Sequence, residues 1–161
     1  MQRERSAAVM NLPLRFALIA ALLASAASCG IPKDSRGTLD RVRSARQIRV
    51  GLILASPDPA LDAESRALLT RLSAATGALP RIVPGDAEPL LTRLEEGELD
   101  IVFGRFSAKS PWSTLVTLSP ALATARQGKT DILTSAAMQN GENAWIALVE
   151  REARALPGTA R

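Results

Sequence analysis

The chain has no His and no Tyr, a single Cys, and only 3% aromatic residues among its 161. Each shortage removes a class of chemistry. Without imidazole there is no ligand for a His-built zinc or haem site and no base for a Ser-His-Asp or Cys-His pair. No catalytic residue, no metal and no cofactor is therefore expected, and the chain reads as a non-enzyme. One Cys cannot close an internal disulfide, so stability has to come from a core even in an oxidising compartment. No stretch interleaves several Arg with aromatics, as nucleic-acid grooves do, so nucleic acid is not an expected partner. What remains is 47% hydrophobic and 22% charged, the balance of a globular chain whose length suits one domain.

The first 28 residues have the order of an export signal. Arg3, Arg5 and Arg15 are followed by the apolar stretch 16–24 and the small residues 25–28, directly before Cys29. That apolar stretch is well short of the roughly 20 residues a standard membrane-spanning helix needs. Ala26-Ala27-Ser28-Cys29 resembles the lipobox of bacterial lipoproteins, in which the Cys receives a lipid and becomes the new N-terminus. The resemblance implies a membrane partner through an N-terminal lipid at Cys29 and a location on the periplasmic face. Gly30, where an Asp often retains lipoproteins in the inner membrane, tilts the expectation to the outer one. A buried thiol, or an incidental residue beside an ordinary cleavage site, is the plainer reading of Cys29. Removal of 1–28 takes three of the 20 basic residues and one of the 16 acidic ones, leaving 17 against 15, so the high pI of 10.2 does not signify a basic patch.

Residues 29–37 lack an apolar period and read as a tether. From 38 to 156 one α/β domain is expected, with a frayed tail at 157–161. Thr38 is placed as the cap of a short helix to Arg46, with Leu39 and Val42 on one face. Residues 47–54 suit a strand buried on both faces. Leu68, Leu69, Leu72 and Ala75 recur at helical spacing over 62–76, with Gly77 as the stop. A strand at 79–83, a helix from Asp86 to Glu96 and a strand at 99–103 ended by Gly104 complete a β-α-β-α-β order. That order predicts a three-layer α/β/α fold with a mostly parallel sheet. Further strands are expected at 115–118 and 131–137, with 119–130 as a bare connection, and a last helix over 142–155.

Gly128-Lys129-Thr130 looks like the tail of a phosphate-binding loop. The earlier Gly is missing, since Ala123 stands there, and a strand follows instead of a helix, so nucleotide binding is set aside. Glu95, Glu96, Glu98 and Asp100 lie close enough for acid-base work, but solvation of a helix end explains four such carboxylates more simply. Trp112 falls in an inter-strand loop, where it either stacks on a ligand or covers the core. Trp145, in register with Leu148 and Val149, reads as core.

Residues 38–51, the segment 91–104 and Leu118-Ser119-Pro120 together resemble the extracellular solute-binding proteins of family 3, the amino-acid-type receptors of ABC importers. The resemblance covers about 38–122 and implies the type II periplasmic-binding-protein-like fold, with a ligand outside the carboxyl ends of the parallel strands. On this chain the ligand loops would be Ser56, Pro57 and Asp58 after the first strand, and Arg105, Phe106, Ser107 and Lys109 through Trp112 after the third. Trp112 stands where the family commonly has the Arg that grips the ligand carboxylate, which leaves Lys109 or Arg105 as substitutes. In the family a second lobe follows the Ser-Pro segment; here 121–130 replaces it, so the resemblance implies a single lobe and half a cleft. Small-ligand sites bury about 70–90% of the ligand, which one lobe achieves poorly. The implied role is weak or partner-completed binding of an amino-acid-like small molecule, with a membrane permease as partner. The alternative is an accessory domain that docks on an envelope complex without binding a ligand.

Overall fold

Gln47–Ile53 is apolar enough to be covered on both sides, and it forms β1 in the interior of the sheet. The computed structural model describes residues 34–54, 61–107 and 111–157, all within the compact unit Lys33–Arg161. The segment 1–28, Cys29, Ser56, Pro57, Asp58 and Lys109 lie outside the described residues. The order is α1 (Thr38–Ala45), β1, α2 (Ala63–Thr76), β2 (Leu79–Gly85), α3 (Ala87–Glu95) and β3 (Ile101–Ser107). A 3-10 turn at Pro111–Thr114, β4 (Val116–Leu118), β5 (Ala123–Gln127), β6 (Thr130–Gln139) and α4 (Asn143–Arg154) follow.

The expected three-layer α/β lobe is present. β1 pairs in parallel with β2 and β3, as right-handed crossovers through α2 and α3 require. The sheet is mixed and not mostly parallel as expected: β6 runs against β3 on one side and against β4 and β5 on the other. Strand alternation then sends Val50, Leu52, Ile101, Phe103, Ala136 and Met138 to one core with α1, α2 and α4. Val102, Phe106 and Ala137 go to a second core, under α3 and the 3-10 turn.

Three further expectations change. β3 does not end at Gly104 but continues to Ser107, because β6 pairs with it from Val102 to Ser107. Gly104 lies inside the strand, where a Cβ would stand 2.7 Å from Ile53 Cδ1. The stretch read as a bare connection contains β5, joined to β6 by the two-residue turn Gly128-Lys129. Gly128 has φ +63° at the first turn position, as a II′-type hairpin needs.

The third change concerns 34–37, read as part of a tether, and Thr38, read as a cap. Gly37 occupies the cap position of α1 without a side-chain bond. The first turn is instead held by Glu142, whose Oε1 accepts from Arg36 N at 2.7 Å and Ser35 Oγ at 2.9 Å, and whose Oε2 accepts from Thr38 N at 2.7 Å. In return Asp34 Oδ1 accepts from Ala144 N in the first turn of α4 at 2.7 Å. Each segment therefore caps the other's helix, a pairing 100 residues of sequence could not announce.

This clasp has a pH signature. Burial raises the Glu142 pKa, but the donors Thr38, Arg36 and Ser35 outweigh it and leave the carboxyl below its ordinary 4.5. A carboxyl depressed by folding stabilises the fold above the unfolded value and loses that contribution as pH falls through the folded one. Glu142→Gln should cost about 2 kcal/mol at pH 7, since the new amide turns an N–H toward a donor. The variant should also show a shallower stability loss than the parent below pH 4.5. Urea unfolding at a series of pH values measures both; parallel acid profiles for the two proteins would contradict the assignment.

Candidate functional site

In a parallel sheet with helices on its faces, ligand sites form where the strands end at their carboxyl side. Here β1 and β3 end at the same edge of the lobe at which the β5–β6 turn sits. The sequence-proposed residues that are described fall on different faces of that region. Phe106 is buried in the core under α3, and half-buried Trp112 packs on the same core. Both contribute to the packing there. Ser107 is half-buried in β3 opposite Ile132.

Arg105 is different. Alternation places it on the opposite face from Phe106, in line with Ile101 and Phe103 but beyond the reach of their core. It is exposed and makes no hydrogen bond or ion pair among the described residues. Thr134 of β6 stands directly beside it, and Ala123 of β5 directly beside Thr134. Leu54, 41% exposed, follows β1 at the same edge. Half-buried Thr134 and Ala123 and exposed Leu54 thus set small and hydroxyl-bearing neighbours around one exposed guanidinium. An Arg fork free of internal partners presents paired donors to a carboxylate, and the flat surroundings let an amino-acid-sized molecule lie against it.

Arg105 and Trp112 are thus not members of one site, as the loop reading had them. The sheet separates them, because β3 continues to Ser107 and alternation turns Arg105 away from the core on which Trp112 packs. Thr134 and Ala123 were missed; the signal was Gly128-Lys129, a Gly at the first of two turn residues between equal runs. The ion pair of Arg126 Nε with Asp131 Oδ1, at 3.2 Å, lies on the hairpin's other face. Among the four carboxylates attributed to a solvated helix end, Asp100 departs from that reading: it is buried and engaged by Arg41 and Arg49. Glu98 is exposed against Arg93 at 2.9 Å.

No family model and no curated protein matches this chain. Solved structures do. The arginine-bound form of domain 1 from TmArgBP aligns with a TM-score of 0.62 at 17% identity, over 73% of this chain and 98% of that one. An ancestral cationic amino acid solute-binding protein aligns with a TM-score of 0.61 at 11% identity, over 73% and 93%. The arginine-bound form of truncated ArgBP from T. maritima gives 0.58 at 10% identity, over 73% and 100%. Likeness at these identities shows a shared fold, the single lobe of a type II periplasmic-binding-protein-like structure.

Proposed function

We propose that this chain is a one-lobed solute-binding-type protein of the bacterial envelope, anchored by a lipid on Cys29, that holds a small amino-acid-like ligand by its carboxylate at Arg105. The observation that carries the reading is the exposed guanidinium of Arg105, without a side-chain partner among the described residues, at the edge where β1 and β3 end. The fold likeness supports it, because one structural neighbour is domain 1 alone in an arginine-bound form. A single lobe leaves much of the ligand in water, so affinity in the millimolar range fits better than the tight grip of a closed cleft.

A ligand bound only by the native state raises the melting temperature, and at ten times its Kd the gain is about 1.4 kcal/mol, a few degrees for a chain of this size. A thermal-shift series with amino acids carried to about ten times a millimolar Kd, on the order of tens of millimolar, should show this shift. Arg105→Ala should abolish it while leaving the unliganded melting temperature within about a degree, since the side chain is exposed. No shift with any amino acid would favour the second reading, an accessory domain that docks on a membrane complex. Replacing Cys29 with Ser should release the protein from the membrane fraction; retention would remove the lipid anchor from the reading.

A further inference from the structure

The two outer edges of this sheet are built differently. Leu79 N donates to Arg46 O at 3.0 Å and Gly85 O accepts from Leu54 N at 3.2 Å, so the odd-numbered residues of β2 face β1. Pro80, Ile82 and Pro84 therefore turn their backbone outward, and two of these three positions carry no N–H. That edge is closed to a further strand. β5 lies at the opposite edge. In a hairpin closed by two residues the flanking pair, Gln127 and Thr130, is the hydrogen-bonded one, so Thr124 and Arg126 present their N–H and C=O outward. Four of the five β5 residues are exposed and none is Pro.

We propose that β5 pairs antiparallel with β5 of a second copy of this chain, around a two-fold axis at Ala125, and that the pairing brings Gln127 of the second copy into the row of Arg105. In this register Thr124 of each copy faces Arg126 of the other across the hydrogen-bonded positions, and the two small Ala125 side chains meet at the axis. A slip toward the turn would set Arg126 against Arg126, an unfavourable like-charge pair. The other edge cannot compete, because Pro80 and Pro84 offer it no N–H.

The partner copy then supplies what one lobe lacks. Arg105, Thr134 and Ala123 form one row on one face, and the residue opposite Ala123 in the paired strand is Gln127 of the second copy, on the same face. Three strand spacings separate Arg105 from it, roughly 14 Å between backbones. Two extended side chains shorten that gap to the length of an amino acid lying over Thr134 and Ala123. The guanidinium meets the carboxylate, and the carboxamide oxygen accepts from the ammonium group. This part rests on the ligand reading above; the pairing itself does not.

Sedimentation velocity of the full chain in detergent micelles tests the pairing. The wild type should be a dimer at tens of micromolar. Thr124→Pro, which copies the device of β2, and Ala125→Lys, on an exposed position, should each raise the dimer dissociation constant at least about tenfold with unchanged circular dichroism. If the Pro variant fails to fold, the Lys variant decides. A monomeric wild type, or a dimer unaffected in Ala125→Lys, would overturn the pairing whatever the ligand does. Gln127→Ala should stay dimeric and weaken amino-acid binding about tenfold, read from the ligand dependence of the melting temperature. Full-strength binding by monomeric Ala125→Lys would overturn the shared site, whereas a dimer that responds to no amino acid leaves the pairing intact and removes the ligand reading alone.

Discussion

Trp145→Ala should lower the unfolding free energy by about 4 kcal/mol, near the upper end for a buried aromatic truncation. Trp145 is 0% exposed and is the largest side chain of the core formed with α1 and α2. It also donates from Nε1 to Asp100 O at 2.7 Å, so truncation leaves both a cavity and an unsatisfied carbonyl. Trp145→Phe keeps most of the volume and loses the donor, and should cost about 2 kcal/mol. Chemical denaturation with an unchanged m-value checks both; equal costs for Phe and Ala would mean that the hydrogen bond, not the filled volume, dominates.

Asp100→Ala should cost about 3 kcal/mol, because a buried carboxylate that loses its role strands the groups arranged around it. Asp100 Oδ2 accepts from Arg49 N at 2.8 Å, and Oδ1 accepts from Arg49 Nη2 at 2.6 Å and from Arg41 Nη2. Its own N donates to Arg49 O at 2.9 Å, which joins the start of β3 to β1. Arg41 and Arg49 are 34% and 28% exposed, so each can recover some hydration, and this keeps the estimate below that for a fully buried pair. Asp100→Asn should recover less than half of the loss, since an amide can serve only part of this donor set. A cost under 1 kcal/mol for the Ala variant, measured by urea unfolding, would show that the ion pairs are replaced by water without penalty. Because Arg49 also donates from Nη2 to Gly97 O at 2.7 Å, Arg49→Ala should reproduce much of the effect.

The strand and helix sequence from 47 to 103 was legible because each signal is local. Asp62 stands ahead of an apolar period and does accept from Ser65 N at 2.7 Å, and Gly77 at φ +70° ends α2. Trp145 was legible as core from its register with Leu148 and Val149, all three buried. β5 was not legible: Ala-Thr-Ala-Arg-Gln buries almost nothing, so it carries neither alternation nor an apolar run. For the same reason Asp100 looked like one more helix-end acid. Nothing within five residues shows that two arginines, 51 and 59 positions earlier, converge on it.

The candidate site shows the same division. Arg105 was named through the family resemblance as a residue of the loop after the third strand, and the structure sets it on the opposite face from Phe106, because face assignment depends on where the strand ends. That end is set by β6, whose pairing runs past Gly104 to Ser107. By itself the sequence determined the β-α-β-α-β order from 47 onward, the parallel half of the sheet and the absence of imidazole, which follow from spacing and composition. Only the tertiary structure decided that Phe106 and Trp112 pack under α3, that Arg105 is exposed on the other face of the sheet, and that 34–38 is clasped by Glu142. Those outcomes depend on pairings between segments distant in the chain, and a strand's two faces look alike until its neighbours are known.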